Sequence, residues 1–392
     1  MDEEINNKQF FKEIIQNHYN DSTLQIIDFE VNSGIGKGEN YFSVILRALI
    51  HWQRNNLERG EEHLVIKTMS KEMSALKMTT KGKLFDIENM YYCEIVPMYK
   101  SILNIRGIHI TSRLAPTYLK CKNPNVVILE DLTPLGFRLG DRRNGGDFNH
   151  GLLLVKALAR NQALSIAIDR KIPGYFEDKV SKVFLNEDFL SKPLKEHVEL
   201  LEQWPEFQEY VGRIQAKSHE EILEILNAGK LKSICQGDCW MNNMLFRYDE
   251  TTGAPIEVCL LDFQYYFWGS LVFDVIYFMY TSLSPHVLEH KKHILIDEYI
   301  DEFHKWMSDL GEELGEFTRE NILKDFKKLQ YLGVILVMTV LYINTCEPKD
   351  ALNFGNYIAD EGIIQRNKLR NDPFYKKKLL KHLKLFAKEN II

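Results

Sequence analysis

Apolar and polar positions follow different periods in the two parts of the chain. Near the start, Phe10, Phe11, Ile14 and Ile15 share one helical face and predict a short amphipathic helix over residues 6–20. Short apolar runs bounded by glycine and polar residues come next and indicate strands joined by turns. The predicted elements are strands at 26–31, 42–50, 63–69, 108–114 and 126–129, and a helix at 84–103 that is interrupted at Pro97. The first third is therefore predicted to be a mostly antiparallel sheet with one or two helices.

From residue 132 onward the pattern becomes largely helical. The predicted helices are 151–168, 190–204, 210–227, 287–310, 319–345 and 375–387, and two strand-like runs at 243–248 and 256–262 are joined by a turn at 250–255. No repeat, low-complexity tract or Pro/Gly-rich linker separates the two parts of the sequence. We therefore predict an α+β fold with a small antiparallel-sheet N-lobe (1–131) and a large, mostly helical C-lobe (132–392). Small-molecule sites usually form in the cleft between such lobes.

The composition is that of a folded globular chain. Of its 392 residues, 45% are apolar and 27% are charged, which argues against a disordered or fibrous protein. The net charge of −6 argues against a general nucleic-acid-binding protein, because such a protein needs a basic surface. The six cysteines form no CxxC pair, and the acidic N-terminus lacks the apolar core of a signal peptide. We therefore expect reduced thiols and a cytoplasmic protein.

Two segments bear on membrane contact. Residues 329–346 carry no charge over 18 positions, which is about the minimum for a membrane span, but polar residues at both ends shorten the apolar part. We predict a buried core helix there and no integral membrane association. The basic stretch at 366–388 has Leu379, Leu383 and Phe386 at helical spacing. It predicts a docked terminal helix with a solvated basic face, and peripheral membrane contact is the alternative.

The strongest chemical signal lies in the segments QGDCWMNNMLF (236–246) and LLDFQYYFWG (260–269). Asp238 and Asn243 stand in a D-x4-N spacing directly before a predicted strand, and Asp262 ends the next strand in an LDF context. Phosphoryl transfer needs such a set. One carboxylate orients the acceptor hydroxyl and accepts its proton, while an amide oxygen and a second carboxylate hold the Mg²⁺ that bridges the nucleotide phosphates. D-x4-N alone is weak evidence, and the hairpin with LDF makes the signal more specific.

A glycine-rich loop in the N-terminal third would hold the phosphates. Gly34, Gly36 and Gly38 would let backbone amides approach phosphate oxygens closely, and Ser43 begins the strand that comes next. A glycine loop taken alone is more often an ordinary turn. The loop becomes informative only in combination with residues further along the chain.

Three further features come after this loop in the order that a nucleotide site requires. Lys67 ends an apolar strand, and Glu88 lies 21 residues further on in a predicted helix, where it can pair with Lys67 and hold it against the α/β-phosphates. The apolar run VVILEDL (126–132) connects the lobes, where backbone groups of Glu130 to Leu132 could bind an adenine edge. A lone lysine would be explained by a solvated strand end, but the ordered set favours a phosphotransferase that uses ATP and Mg²⁺.

These segments resemble the ecdysteroid kinase-like family, within the aminoglycoside phosphotransferase/choline kinase group of the protein kinase-like superfamily. The matching stretches lie between about residues 34 and 280 and are GKGENYFSVILR, LVIKTMS, FDIENMYYCEIVP, VVILEDL, ALARNQALS, GDCWMNNMLF and LDFQYYFWGSLVFDVIYF. The resemblance implies a two-lobed kinase-like fold. It implies that Asp238 is the catalytic base, that Asn243 and Asp262 are the Mg²⁺ ligands, and that Lys67 with Glu88 binds the phosphates. Glu130 and Leu132 would lie at the adenine-binding connector, and Asp274 would brace the catalytic loop.

The chain departs from the family pattern at two positions. The family usually has histidine directly before Gly-Asp, where this chain has Gln236, and commonly has histidine in the helix that carries Gln162. Because glutamine can both donate and accept hydrogen bonds, we expect a modest loss of rate rather than inactivity. A catalytically weak protein that sequesters a ligand remains an alternative.

The acceptor is poorly defined by the sequence. Six aromatic residues near the motifs could wall an apolar hydroxylated substrate or could simply pack under the catalytic loop: Trp240, Phe263, Tyr265, Tyr266, Phe267 and Trp268. An acidic group could attract a polycationic aminoglycoside, although a solvated helix face explains it better: Glu187, Asp188, Glu196, Glu199, Glu202 and Glu206. The resemblance favours an ecdysteroid or an apolar xenobiotic alcohol, and a choline- or aminoglycoside-type alcohol is the alternative acceptor.

Overall fold

The N-terminal part of the chain is built on one antiparallel sheet. The computed structural model describes residues 5, 7–34, 43–69, 81–177, 190–214, 217–352 and 362–392. Four strands pair in the order β1-β2-β3-β4. They span Gln25–Ser33, Ser43–Gln53, Arg59–Met69 and Val126–Glu130.

A helix at the start of the chain gives this sheet its own core. Helix α1 (Lys8–Tyr19) begins at Asn7, whose side chain accepts a hydrogen bond from the Phe10 backbone and so satisfies one unpaired helix donor. Its apolar face buries Phe11, Ile14 and Ile15 in a cluster formed with side chains of the sheet. The amphipathic helix predicted from the sequence is therefore confirmed, and its apolar face packs on the sheet.

A second helical segment connects the sheet to the rest of the molecule. It comprises α2 (Lys81–Met90), one π-helical turn (Tyr91–Ile95) and α3 (Val96–Ile105). The predicted interruption at Pro97 is present as the change from π to α geometry, because proline has no N–H and fits the first turn of a helix. Buried side chains from the π turn and α3 join the core of the C-lobe. This packing fixes α2, and with it Glu88, against the C-lobe.

The C-lobe is mostly helical. Its helices are α4 (Phe148–Lys171), α5 (Ser191–Leu201), α6 (Gln208–Val211), α7 (His219–Asn227), α8 (Phe273–Ser282), α9 (Pro285–Asp309), α10 (Arg319–Thr339), α11 (Leu341–Thr345), α12 (Ile363–Arg370) and α13 (Pro373–Lys388). Its strands are β5 (Phe137–Leu139), β6 (Lys232–Cys235), β7 (Met244–Tyr248), β8 (Pro255–Leu260) and β9 (Phe267–Ser270). They form one sheet in the order β5-β7-β8 and a β6-β9 pair. This architecture confirms the predicted α+β fold with a sheet-based N-lobe and a helical C-lobe.

The apolar segments are core helices. One described helix, α4, is long and apolar enough to cross a membrane by length and composition, but 83% of its most apolar window is buried inside the protein. Helices α10 and α11 contain the uncharged run at 329–346, and its side chains are largely buried, as the sequence predicted. The six cysteines are free.

Several sequence predictions of elements were wrong or too coarse. Residues 108–114 form no strand, and the chain there follows an irregular path fixed by side-chain contacts to Arg113. The predicted helix at 210–227 is broken, because Ser218 and Glu221 form a capping box that begins α7 afresh. The predicted helix at 319–345 is divided at Val340 into α10 and α11.

Candidate active site

A buried ion pair joins the sheet to α2. Strand β3 carries Lys67 and α2 carries Glu88, and the Lys67 Nζ lies 2.6 Å from Glu88 Oε2. Both residues are buried, with 5% and 1% of their surface exposed. Burial alone would lower the pKa of Lys67, but the neighbouring Asp262 and Glu88 outweigh it and raise that pKa. Burial raises the pKa of Glu88 to about 7 against the opposing attraction of Lys67. The predicted contact is therefore present in the structure.

Lys67 also contacts the segment that contains the LDF motif. Its Nζ donates to Asp262 Oδ1 at 2.7 Å and to Gln264 Oε1 at 3.2 Å. The sheet, α2 and the LDF segment therefore meet at one ammonium group. Sequence reasoning did not find Gln264, because nothing in its spacing relates it to a lysine 197 residues earlier.

Asp262 has an unusual backbone conformation. Its φ of 57° and ψ of 64° lie in the left-handed region, which residues other than glycine seldom adopt. Such conformations persist where surrounding contacts hold them, and they cluster at functional sites. Here the turn at Asp262 directs its carboxylate back toward Lys67.

The catalytic-base candidate Asp238 is held by hydrogen bonds to both of its carboxylate oxygens. Tyr277 on α8 donates its hydroxyl to Oδ1 at 2.7 Å, and Asn243 donates Nδ2 to Oδ2 at 2.8 Å. Burial raises the pKa of Asp238 to about 6, and hydrogen bonds from Tyr277, Asn243 and Trp240 limit the rise. The carboxylate is therefore charged at neutral pH, and it is a stronger base than an exposed aspartate.

Tyr277 was missed by sequence reasoning. It lies in α8, whose side chains are buried all round, so no periodic pattern distinguishes a functional position from a core one. Its hydroxyl contact with Asp238 could be recognised only from the three-dimensional arrangement.

The two candidate metal ligands flank one backbone hydrogen bond. Leu261 N–H donates to the Asn243 carbonyl at 2.8 Å, so Asn243 and Asp262 lie on adjacent chain segments. The side-chain hydrogen bonds of Asn243 use its Nδ2, so within the described chain its Oδ1 remains available as an oxygen ligand. One amide oxygen and one carboxylate, completed by phosphate and water, suit Mg²⁺. Among the described residues no group of three or more His, Cys, Asp or Glu could hold a metal by itself.

Gln236 links the two candidate catalytic segments. Its Oε1 accepts from the Asp238 backbone N–H at 2.8 Å, and its Nε2 donates to the carbonyls of Leu261 at 3.0 Å and Asp262 at 2.8 Å. A neutral histidine has one ring donor and one ring acceptor, whereas an amide has two N–H donors and a carbonyl acceptor. Gln236 can therefore hold both the catalytic loop and the left-handed turn at Asp262.

Asp274 braces the loop that carries Gln236 and Asp238 through backbone hydrogen bonds. Its carboxylate accepts from the backbone N–H of Gln236 at 2.6 Å and of Gly237 at 3.1 Å. Burial raises its pKa to about 7, and the hydrogen bonds from these backbone groups oppose the rise. Gly237 is required for this turn, because its φ is +88° and an added Cβ would lie 2.4 Å from the Tyr265 carbonyl oxygen. These contacts are those of the bracing role implied for Asp274.

Gln162 is also tied into the interior. Its Nε2 donates to the Leu271 carbonyl at 2.8 Å, and its Oε1 accepts from the Tyr299 hydroxyl at 2.5 Å. The residue therefore connects α4, α9 and the segment that comes after β9. These contacts hold the Gln162 side chain within the packing of the C-lobe.

A cavity lies between the lobes next to this site. Its lining includes Gly34 and side chains of β2 and β3 from the N-lobe, the connector between the lobes, and the β7–β8 hairpin from the C-lobe: Ile45, Arg47, Val65, Pro116, Leu129, Glu130, Asp131, Leu132, Leu139, Asn242, Leu245 and Leu261. Three of the predicted nucleotide-binding positions, Gly34, Glu130 and Leu132, therefore border one cavity. Its mostly aliphatic walls suit a flat apolar group such as a nucleobase.

The remaining predicted binding positions are distributed differently. Gly36 and Gly38 lie outside the described residues, and Ser43 is the first residue of β2. The Glu130 carboxylate accepts hydrogen bonds from Arg113 and from both the backbone and hydroxyl of Thr117. The Glu130 side chain therefore fixes the connector and leaves any ligand contact to the backbone.

Most of the aromatic residues around the motifs pack internally. Trp240, Phe263, Tyr265 and Tyr266 are buried. The Phe263 ring stacks on Tyr91 of the π turn with centroids 3.5 Å apart. This stacking couples the LDF segment to the helix that carries Glu88. The wall of an acceptor pocket would have to come largely from other residues.

Comparison with known proteins decides the family. The sequence model described as the ecdysteroid kinase-like family matches residues 37–312. The chain belongs to the ecdysteroid kinase-like family. The resemblance found in the motifs is thereby confirmed, and with it the broad class of kinase-like phosphotransferases that act on small molecules.

The other comparisons add little. Among solved structures, the chain is similar to the GDP complex of a point mutant of aminoglycoside 2'-phosphotransferase IIIa, with 11% identity and a TM-score of 0.40 over 98% of this chain and 99% of that one. A likeness this weak carries no inference about activity. The comparison with curated proteins gave no match.

Proposed function

We propose that this ecdysteroid kinase-like protein uses ATP to phosphorylate the hydroxyl group of a small-molecule alcohol, and that the alcohol is an ecdysteroid or an apolar xenobiotic. The observation that carries the proposal is the convergence of Lys67, Glu88 and Asp262 at one point, beside a loop in which Asn243 is bonded to Asp238. Family membership supports the class of reaction. The choice of acceptor rests on the family alone.

The nucleotide is bound by residues of both lobes. The base lies in the aliphatic cavity against the connector, and the phosphates extend toward Lys67. Because the ion pair with Glu88 fixes the Lys67 side chain, little side-chain entropy is lost when its ammonium group meets a phosphate. Mg²⁺, when bound, neutralises phosphate charge, and Asn243 and Asp262 are the residues that would hold it.

Asp238 positions the acceptor. Its two carboxylate oxygens are held by Tyr277 and Asn243, and each oxygen keeps a second lone pair for the substrate hydroxyl. With its pKa raised to about 6, the carboxylate is charged at neutral pH and can accept the hydroxyl proton as the oxygen attacks phosphorus. Most of the catalytic effect is then positioning and charge neutralisation.

The contacts of Gln236 favour an active enzyme over a sequestering protein. The departure from histidine was the reason to consider a catalytically weak protein. Gln236 nevertheless supports both Asp238 and Asp262 through its side-chain amide. A loop held in this way supports catalytic competence.

The test is direct detection of a phosphorylated acceptor. The protein is incubated with MgATP and separate pools of ecdysteroids, apolar secondary alcohols, choline and aminoglycosides, and the products are analysed by mass spectrometry. Asp238→Asn is the inactive blank, and Asp86→Asn, at an exposed position on α2, is the matched control. We expect phosphate on an ecdysteroid or apolar alcohol with wild type and with the control variant only. Phosphate on choline or an aminoglycoside would overturn the proposed acceptor, and product in the Asp238→Asn reaction would overturn the role of Asp238.

A further inference from the structure

Asn242 is a buried polar residue that the catalytic proposal does not use. It lies in the 3-10 turn Met241–Asn243, directly before a candidate metal ligand. Only 8% of its surface is exposed, and Asn242 is one of the residues that line the cavity between the lobes. Its Nδ2 is buried and makes no hydrogen bond with any residue that the structure describes. Buried amide groups without partners are rare in folded proteins, so this one needs an explanation.

The position of Asn242 is fixed by its neighbours. The Met241 backbone donates to the Ser282 hydroxyl at 3.1 Å, and the Asn243 backbone donates to the Trp240 carbonyl at 2.9 Å. Met241 also packs so closely on Gly140 that an added Cβ there would lie 2.3 Å from its sulfur. The turn cannot move easily to give Asn242 another partner. A partner that enters the cavity can satisfy the amide, because rotation about the Cβ–Cγ bond exchanges its donor and acceptor ends.

The order of groups around the cavity indicates the chemistry of that partner. Glu130 and Leu132 of the connector border the cavity where a nucleobase would bind. Asn243, the next residue after Asn242, belongs to the phosphate and metal end of the site, and consecutive Cα atoms are only about 3.8 Å apart. A nucleotide that spans these two ends passes its sugar over Asn242.

The two carboxylates of the cavity lining, Glu130 and Asp131, are already paired. Arg47 Nε lies 3.5 Å from Asp131 Oδ2, and the Asp131 carboxylate also accepts from the Thr133 backbone at 2.9 Å. Asn242 is neutral and can both donate and accept, which matches the hydroxyl groups of ribose. We propose that Asn242 binds the ribose hydroxyls of the nucleotide and makes the site selective for ribonucleotides. This inference rests on the proposed use of ATP.

The experiment compares three nucleotides on three proteins. Dissociation constants of the Mg²⁺ complexes of ATP, 2'-deoxy-ATP and 3'-deoxy-ATP are measured by calorimetry for wild type, Asn242→Leu and Asn227→Ala. Leucine keeps the volume of the side chain without its hydrogen bonds, and Asn227 is an exposed asparagine on α7 that serves as the control. Thermal unfolding of the free proteins checks folding. We expect Asn242→Leu to unfold at the same temperature as wild type or higher, because it removes an unsatisfied buried group.

Selectivity for the sugar is the deciding readout. Wild type and the Asn227 control should bind ATP about five- to tenfold more tightly than at least one deoxy analogue, which is the effect of one hydrogen bond. Asn242→Leu should weaken ATP binding by that factor and leave the affinity for the same deoxy analogue unchanged. The ratio of the dissociation constants of the deoxy analogue and ATP should then approach one. An unchanged ratio, or equal weakening of all three nucleotides, would overturn the proposal. If wild type bound no nucleotide, the proposed function itself would fail, and this inference with it.

Discussion

Replacing Tyr277 by phenylalanine removes one hydrogen bond from the proposed catalytic base and keeps the aromatic ring. The Tyr277 hydroxyl lies 2.7 Å from Asp238 Oδ1 and stabilises the charged carboxylate. A hydrogen bond to a charged group contributes about 1.5–3 kcal/mol, and about 1.36 kcal/mol corresponds to one pKa unit. Tyr277→Phe should therefore raise the pKa of Asp238 by roughly one to two units. The starting value is about 6.

The assay is the pH dependence of kcat/KM for phosphoryl transfer. A general base works only when ionised, so activity falls as the pH drops through its pKa. The acid limb should lie near pH 6 in wild type. In Tyr277→Phe the acid limb should be shifted upward by about one to two pH units, to near pH 7 to 8. The value of kcat/KM on the alkaline plateau should change little.

A matched control separates this effect from a general loss of packing. Tyr280 lies on the same helix and is also buried, but its hydroxyl contacts Lys292 at 3.3 Å. Tyr280→Phe should leave the acid limb unchanged. If Tyr277→Phe lowered kcat/KM by the same factor at every pH, ionisation of Asp238 would not control the reaction and the reasoning would be refuted.

The same contacts give three further predictions. Asp238→Asn should stabilise the protein at pH 7.5 but not at pH 4, because burial raises the pKa of Asp238 above its unfolded value and stability is lost as the pH rises through about 6. The gain in unfolding free energy is at most about 3 kcal/mol, since the Asp238 side chain is partly exposed. Equal unfolding free energies of wild type and Asp238→Asn at pH 7.5 in urea titrations would contradict this prediction. Lys67→Met should weaken MgATP binding at least about tenfold, whereas Lys230→Met, at an exposed position, should not. Unchanged MgATP affinity of Lys67→Met in calorimetry would exclude Lys67 from the nucleotide site. Gln236→Ala should reduce kcat about 10- to 100-fold with little change in KM, because hydrogen bonds that hold Asp238 and Asp262 are lost, and Gln236→His should restore most of the rate. A fully active Gln236→Ala enzyme would show that the loop is held by other contacts.

The sequence allowed the main parts of the site to be predicted where chemistry and chain order coincide. The Lys67–Glu88 pair could be proposed because a strand-end lysine is followed by a helical carboxylate, and the structure contains the pair at 2.6 Å. The β7–β8 hairpin was likewise evident from two apolar runs around a turn. These features depend on local patterns that survive in a linear sequence.

Other features depend on tertiary contacts and left no local signal. Strands β5, β6 and β9 are only three or four residues long, and each exists because a distant partner pairs with it. The left-handed conformation at Asp262 could not be predicted from the sequence, because the residue is not a glycine. Tyr277 and Gln264 contact residues that are far from them in the sequence. Asn242 lines a cavity that only the folded chain forms.

The aromatic residues near the motifs show how composition can mislead. Their number suggested an apolar acceptor wall. In the structure, Phe263 instead stacks on Tyr91, and Trp268 stacks on Phe176 with ring centroids 5.0 Å apart. Large apolar side chains next to a catalytic loop are as useful for holding the loop as for binding a substrate.

The most direct test of the central claim is the stoichiometry of phosphoryl transfer. ADP and phosphorylated alcohol are quantified in the same reaction for wild type and Asp238→Asn, with MgATP and separate pools of ecdysteroids and apolar secondary alcohols as substrates. We predict one phosphorylated alcohol for each ADP with wild type and neither product with Asp238→Asn. Formation of ADP without phosphorylated alcohol from any pool, or of equal product by both proteins, would contradict the assignment of this site as a small-molecule kinase with Asp238 as its base.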